Sequence, residues 1–226
     1  MKKHPKTNID FIKKLPIFEN LRSENIDDIL ALSTIFNVKK NKLIFFKDEE
    51  IKNFHIILKG SAILYENTAD GHQNVIQFLD QGQIIGDIFA KNFLFNALSN
   101  EDSLIMLIPA KLIRELIHNN QIFCSNLLKE ISLKNRNILN LLSKIKVIDA
   151  KQRVAKFLLS IAFKGDDELL NIRLDYGKSI IASYLNIKPE TFSRILQKFK
   201  MDGEIIMNKN LLKLTKQDSL NKYLKQ

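Results

Sequence analysis

Cysteine occurs once in the 226 residues, at Cys124, and tryptophan not at all. A single thiol cannot close a disulfide within one chain, nor build an all-cysteine zinc or iron–sulfur site. Histidine occurs four times, at His4, His55, His72 and His118, and no two lie within ten residues of each other. That spacing disfavours a cupin-type metalloenzyme, which draws on a clustered His-x-His set. Glycine-rich phosphate loops, G-x-S-x-G elbows and H-E-x-x-H stretches are missing as well, so no enzymatic activity is expected. No apolar run approaches the ~18 residues that cross a bilayer. The lysines of MKKHPKTNIDF precede no apolar stretch, so neither a membrane contact nor a secretory signal is expected. These absences point to a reducing, cytoplasmic setting.

What is present is an ordinary globular balance, 45% hydrophobic and 27% charged, with a basic excess of 35 Lys and Arg over 25 Asp and Glu. A net charge of +10 favours anionic partners, nucleic acid above all. Residues 149–226 carry 15 basic and 9 acidic side chains, an excess of 6 in about a third of the chain, against an excess of 4 in residues 1–148. The C-terminal third is therefore the expected site of phosphate contact.

Residues 9–36 read as short helices, one stopped by Pro16 and a second opened by Ser23 with Ile26, Ile29, Leu30 and Leu32 on one face. From Asn37 the pattern changes to short apolar runs at 43–46, 54–58, 62–65, 75–79, 84–85 and 104–108. Turn residues separate them, including an Asp70-Gly71 hairpin signal. Six strands at this spacing predict a β-barrel or jelly roll.

After Pro109 the chain turns helical. Cys124, Ile131, Ile138 and Ile145 fall seven apart, and three residues beyond each stand Leu127, Lys134, Leu141 and Ile148. This a/d seam predicts a parallel two-stranded coiled coil with Leu127, Ile131, Ile138, Leu141 and Ile145 at the interface. A helix buried on its own domain is the alternative. Asp149 then caps a helix expected over 150–163, an extended stretch follows at 172–174, and helices follow near 178–185 and 190–201. A hairpin around Asn208-Lys209-Asn210 completes a winged helix-turn-helix order. The fold class is thus α+β, with an N-terminal β-roll (1–120), a long dimerisation helix (121–148) and a C-terminal winged helix-turn-helix (149–226).

In the last helix Glu190, Ser193, Arg194 and Gln197 recur at i, i+3, i+4 and i+7, one outward stripe. An arginine in the major groove donates twice to guanine, and a glutamate accepts from cytosine. Lys178, Lys188, Lys198, Lys200 and Lys209 flank the stripe and suit phosphates, and Ser179 and Thr191 join Lys178, Lys188, Lys198 and Lys209 as the expected phosphate contacts. An interaction module that kept the fold and lost DNA binding is the competing reading, and the intact stripe argues against it.

The roll, long helix and winged helix, together with Lys188-Pro189-Glu190-Thr191-Phe192-Ser193-Arg194-Ile195-Leu196, resemble the cyclic-AMP receptor / fumarate–nitrate regulator (CRP/FNR) family of bacterial transcription factors. The resemblance implies Glu190, Ser193 and Arg194 as base readers of a palindromic TTGA-type site on double-stranded DNA, a homodimer, and RNA polymerase as a further partner. It also implies an effector cassette at Gly86, Asp87, Ile88, Phe89, Asn96 and Ala97. There Asn96 stands where the family's phosphate-clamping arginine would be, and Asp87 in place of a glutamate. Cyclic AMP is therefore disfavoured, and one cysteine excludes the family's four-cysteine cluster. The recognition segment looks most like the dissimilatory nitrate respiration regulators, which respond to nitric oxide through haem. With Phe89, Phe93, Leu94 and Phe95 making the cassette apolar, haem is the leading candidate for an otherwise unknown cofactor.

Overall fold

The computed structural model describes residues 9–68, 73–86, 89–145, 149–165, 169–216 and 218–224. They form two compact units, one up to Leu141 and one from Leu142 onward.

The first unit opens with α1 (Ile9–Lys13), a 3-10 turn (Pro16–Phe18) and α2 (Ser23–Leu32). Eight strands follow: β1 (Thr34–Val38), β2 (Leu43–Phe45), β3 (Asn53–Lys59), β4 (Ala62–Asn67), β5 (Gln73–Leu79), β6 (Ile84–Ile85), β7 (Asn96–Ser99) and β8 (Ser103–Pro109). They build two antiparallel four-stranded sheets, ordered β1-β8-β3-β6 and β2-β7-β4-β5. This is the jelly roll expected. Residues 69–72, which include the Asp70-Gly71 signal and His72, lie outside the described residues, although the strands they join pair from Asn67↔Gln73 to Ala62↔Leu79.

Strand β3 reads as a continuous apolar run because both of its faces are covered. Phe54, Ile56 and Leu58 join Met106 and Ile108 in a core packed under the helices, while Ile57 joins Val38, Phe45, Ile85 and Ile105 in the roll interior. Alternation along the strand sends neighbours to opposite cores.

Two strands differ from the expectation. Thr34–Val38 pairs with β8 from Thr34↔Leu107 to Val38↔Ser103, although its first residues were assigned to a helix. Asn96–Ser99, assigned to the cassette, pairs with both β2 and β4. Leu32, expected on the buried face of its helix, is exposed at the helix end.

Helix α3 (Ala110–Asn119) leads into α4 (Gln121–Ile145). The Asn120 side chain accepts from the Phe123 backbone at 3.0 Å, closing the first turn of α4. Residues 146–148, including Ile148 of the expected seam, lie outside the described residues.

The second unit holds α5 (Ala150–Ser160), β9 (Ala162–Lys164), β10 (Leu170–Arg173), α6 (Lys178–Tyr184), α7 (Pro189–Met201), β11 (Ile205–Asn208) and β12 (Leu211–Leu214). Its sheet runs β11-β12-β10-β9. Asp149 caps α5 through a full capping box with Gln152. The helix stops at Ser160, short of the expected 163, because Ala162, Phe163 and Lys164 pair with β10. Val154, Leu158, Ile172, Ile181, Phe192, Leu196, Phe199 and Leu212 are buried within the unit.

Candidate functional site

Helices α6 and α7 meet through a tight turn. Asn186 takes the left-handed conformation (φ 51°), and Ile187 N–H donates to the Ala182 carbonyl at 3.0 Å. Ala182 is fully buried there, small enough to bring the helices close. Pro189 begins α7 with its φ preset. Phe192, Ile195, Leu196 and Phe199 fix the inward face of α7, and Glu190, Ser193, Arg194 and Gln197 are left exposed along the opposite one. The stripe expected from the spacing is therefore a real surface of this unit. Lys178, Ser179, Lys188 and Lys198 are exposed as well, and Thr191 is half-buried. Lys209 sits exposed at the tip of the β11–β12 hairpin in the left-handed region (φ 51°).

Beneath α7, Glu204 is buried at the start of the hairpin. It accepts from the Tyr223 hydroxyl at 2.7 Å and pairs with Lys222. Tyr223 packs on Phe199 with centroids 5.3 Å apart, and Lys151 lies over both rings. This support for α7 was not legible in the sequence, where Glu204 reads as a surface charge.

The long helix α4 departs from the a/d seam. Phe123 and Leu127 are buried in the core beneath the roll's helices, with Leu127 only 5% exposed. Asn126 donates to the Glu19 carbonyl at 2.7 Å, and Lys134 Nζ reaches the Ile84 carbonyl at 3.5 Å. The d positions Leu127 and Lys134 thus belong to this chain's own roll. Leu127, expected at a dimer interface, is instead packed in this chain's own core. The a positions Ile131 and Ile138 are exposed, and so is Leu128, four residues after Cys124, at 59%. Around this a/e group of Leu128, Ile131 and Ile138, Leu133 and Leu139 are exposed as well, and the expected d residue Leu127 is not part of that face. The side chains of Leu141 and Ile145 lie outside the described residues.

The cassette also differs from expectation. Asp87 and Ile88 lie outside the described residues, while Phe89 and Leu94 are exposed rather than gathered into an apolar pocket. Ala97 is fully buried in the roll core. Asn96 is committed to the fold: its Oδ1 accepts from Lys47 N–H at 3.0 Å, and its Nδ2 donates to the Tyr65 carbonyl at 3.5 Å. Phe95 is half-buried, and Phe93 turns fully inward, stacking on Phe45 at 3.6 Å between centroids and 9° between planes. His55 closes the group edge-on, 5.1 Å from Phe45 and 5.6 Å from Phe93. Burial pushes its pKa down to about 4, against a smaller opposing hydrogen bond to the Asn53 backbone.

A haem needs an axial imidazole beside an apolar slot. His118 is exposed on α3, and His4 and His72 lie outside the described residues. His55 is buried in the roll, but the stacked phenylalanines occupy the space next to its ring. As placed, the described residues do not fit a macrocycle.

The chain thus carries a two-sheet roll followed by a winged helix that presents an exposed, lysine-flanked helix face. Two family models match in that order: a cyclic nucleotide-binding domain over residues 35–120 and a Crp-like helix-turn-helix domain over 152–223. The electron transport regulator A of Shewanella oneidensis is 25% identical over 190 residues, 80% of this chain and 74% of its own. The fumarate and nitrate reduction regulatory protein of Escherichia coli is 20% identical over 188 residues, 81% of this chain and 75% of its own. Among solved structures, a CooA mutant from Carboxydothermus hydrogenoformans superposes with TM-score 0.76 at 17% identity, covering 97% of this chain and 96% of that one. FixK2 from Bradyrhizobium japonicum gives 0.74 at 20% identity, covering 84% and 96%. The chain belongs to the CRP/FNR family of DNA-binding transcription regulators.

Proposed function

We propose that the protein is a cytoplasmic homodimeric regulator. In this reading, two α7 helices read an inverted TTGA-type repeat, RNA polymerase is a partner at its promoters, and a small effector in the roll tunes the pose of the DNA-binding units. The observation that carries the DNA reading is the exposed Glu190, Ser193, Arg194 and Gln197 stripe on a helix whose other face is fixed by Phe192, Ile195, Leu196 and Phe199. Arg194 would donate to the half-site guanine, Glu190 would accept from a cytosine, and Ser193 would complete the half-site contacts. Lys178, Ser179, Lys188, Thr191, Lys198 and Lys209 would set the register on phosphates without reading sequence.

Two copies of the recognition helix need a two-fold axis, and the exposed Leu128, Ile131 and Ile138 supply an isologous apolar face for it. We infer that cyclic AMP is not the effector, since the Asn96 amide would have to abandon two backbone partners to meet a phosphate and would bring no charge. Haem is not the effector in this reading, because Phe45 and Phe93 fill the space beside the His55 ring. Electrophoretic mobility shifts on a TTGA/TCAA inverted repeat, with and without Arg194→Ala, test the reading. Sequence-selective retardation lost in the variant supports it, and equal retardation of scrambled duplex by the wild type would overturn it.

A further inference from the structure

Among the described residues of the roll, His55 is a polar anomaly. His55 is only 7% exposed, and its Nδ1 is fully buried with no hydrogen-bond partner. Native cores keep few such atoms, because each gives up its bond to water for nothing. In the neutral ring, which burial maintains at physiological pH, one nitrogen carries the proton and the other accepts, so a ligand donor at the buried Nδ1 selects the tautomer with its proton on Nε2.

Phe93 packs edge-on against the His55 ring, 5.6 Å between centroids, and its setting is unusual. It lies in an irregular segment between β6 and β7 where Asn92 and Leu94 are exposed, and it alone inserts, to 4% exposure. Its backbone is pinned to the β2–β3 loop: Phe93 N–H donates to the Glu49 carbonyl at 3.0 Å, and its own carbonyl accepts from Asp48 N–H at 2.8 Å. Across the ring stands Gly86 at φ +92°, where any Cβ would come within 2.8 Å of Phe93 Cε1. A side chain at residue 86 would push the ring out, so glycine there leaves room for it.

We propose that the roll holds a closed binding site for a small, uncharged, planar aromatic ligand bearing one N–H or O–H donor, with Phe93 as its removable plug and His55 Nδ1 as its acceptor. The site rests on the reading of the roll as the sensory half. Planarity follows from Phe45, which already stacks a flat ring at 3.6 Å and would stack the ligand once Phe93 swings out. Neutrality follows from the surrounding Val38, Ile57, Ile85 and Ile105, which offer a charge no counter-ion. The donor follows from the unmet lone pair. Because closure must be undone first, the wild type binds with an affinity lowered by the fraction of time the plug is open.

Indole is the probe, with indene as its N–H-free counterpart of the same shape. The chain has no tryptophan, so indole fluorescence is read without interference. The full-length protein should bind indole saturably, and Phe93→Ala should tighten binding by about tenfold or more. In Phe93→Ala, indole should beat indene by about tenfold, the worth of one hydrogen bond, and adding His55→Phe should erase that preference. If Phe93→Ala does not fold, Phe93→Leu and the wild type's indole-against-indene shift in melting temperature carry the same comparison. Equal affinity for indole and indene, or no saturable indole binding by either the wild type or the plug variant, would overturn the site. Indole binding with unchanged operator affinity would support the site while removing it from the sensory reading.

Discussion

Two adjacent leucines separate packing from assembly. Leu127 is buried beneath the roll with Phe18, Phe123 and Met106, whereas Leu128, about 100° further round the helix, is 59% exposed. Leu127→Ala deletes core volume and should destabilise the first unit by about 2–5 kcal/mol. At about 2–4 °C per kcal/mol for a chain of this size, the melting temperature falls by ~5–15 °C. Leu128→Ala should leave the protomer's fold within about 0.5 kcal/mol. Its effect falls on the dimer: truncation on both sides of a two-fold axis removes about 1.5 kcal/mol twice, weakening dimerisation by about 100-fold. Sedimentation velocity across a concentration series reads the second effect. Circular-dichroism melts below the dissociation concentration read the first without contribution from assembly. An a/d seam demands the reverse, with Leu127→Ala giving stable monomers and Leu128→Ala a wild-type dimer. That result would refute the a/e face.

Three further outcomes are expected. His55 stays neutral in the folded roll down to about pH 4, because burial opposes its charging, whereas the unfolded side chain takes its proton near 6.5. Its contribution is present above pH 6.5 and is lost as pH falls toward 4, by up to about 3 kcal/mol, and urea titrations of His55→Phe should lose that slope. Tyr223→Phe removes a 2.7 Å donor from buried Glu204 and should cost about 1–3 kcal/mol in the second unit, read by differential scanning calorimetry; an unchanged transition would deny the strap beneath α7. Lys188→Ala and Lys209→Ala should each lower the slope of log affinity against log salt by about one while leaving sequence preference intact.

Much of this organisation is legible in the sequence, for definite reasons. The strands from β2 to β6 are bounded by turn residues such as Gly60 and Gly82, both at positive φ in the structure. The recognition stripe emerges because a 3.6-residue period separates Phe192, Ile195 and Phe199 from Glu190, Ser193 and Arg194. What stayed hidden depends on neighbours that no local pattern names. Thr34–Val38 follows α2 with no glycine or proline between them, so its alternation blends into the helix before it. The heptad period of α4 gives two apolar rows but cannot say which one the roll will cover, and the roll takes Leu127. The phenylalanines near the cassette look equivalent in sequence, yet Phe93 is the one that stacks on Phe45 and takes the space above Gly86, while Phe89 stays exposed.

In the proposed function, α7 reads base sequence through Arg194. Fluorescence anisotropy of the dimer on a TTGA/TCAA inverted repeat, and on the same duplex with both half-site guanines replaced, tests it directly at a fixed salt concentration. The wild type should lose about 1–3 kcal/mol per half-site on replacement, while Arg194→Ala should bind both duplexes alike and keep the wild-type salt slope. An Arg194→Ala protein that still prefers the guanine-containing site by the wild-type margin would contradict the account.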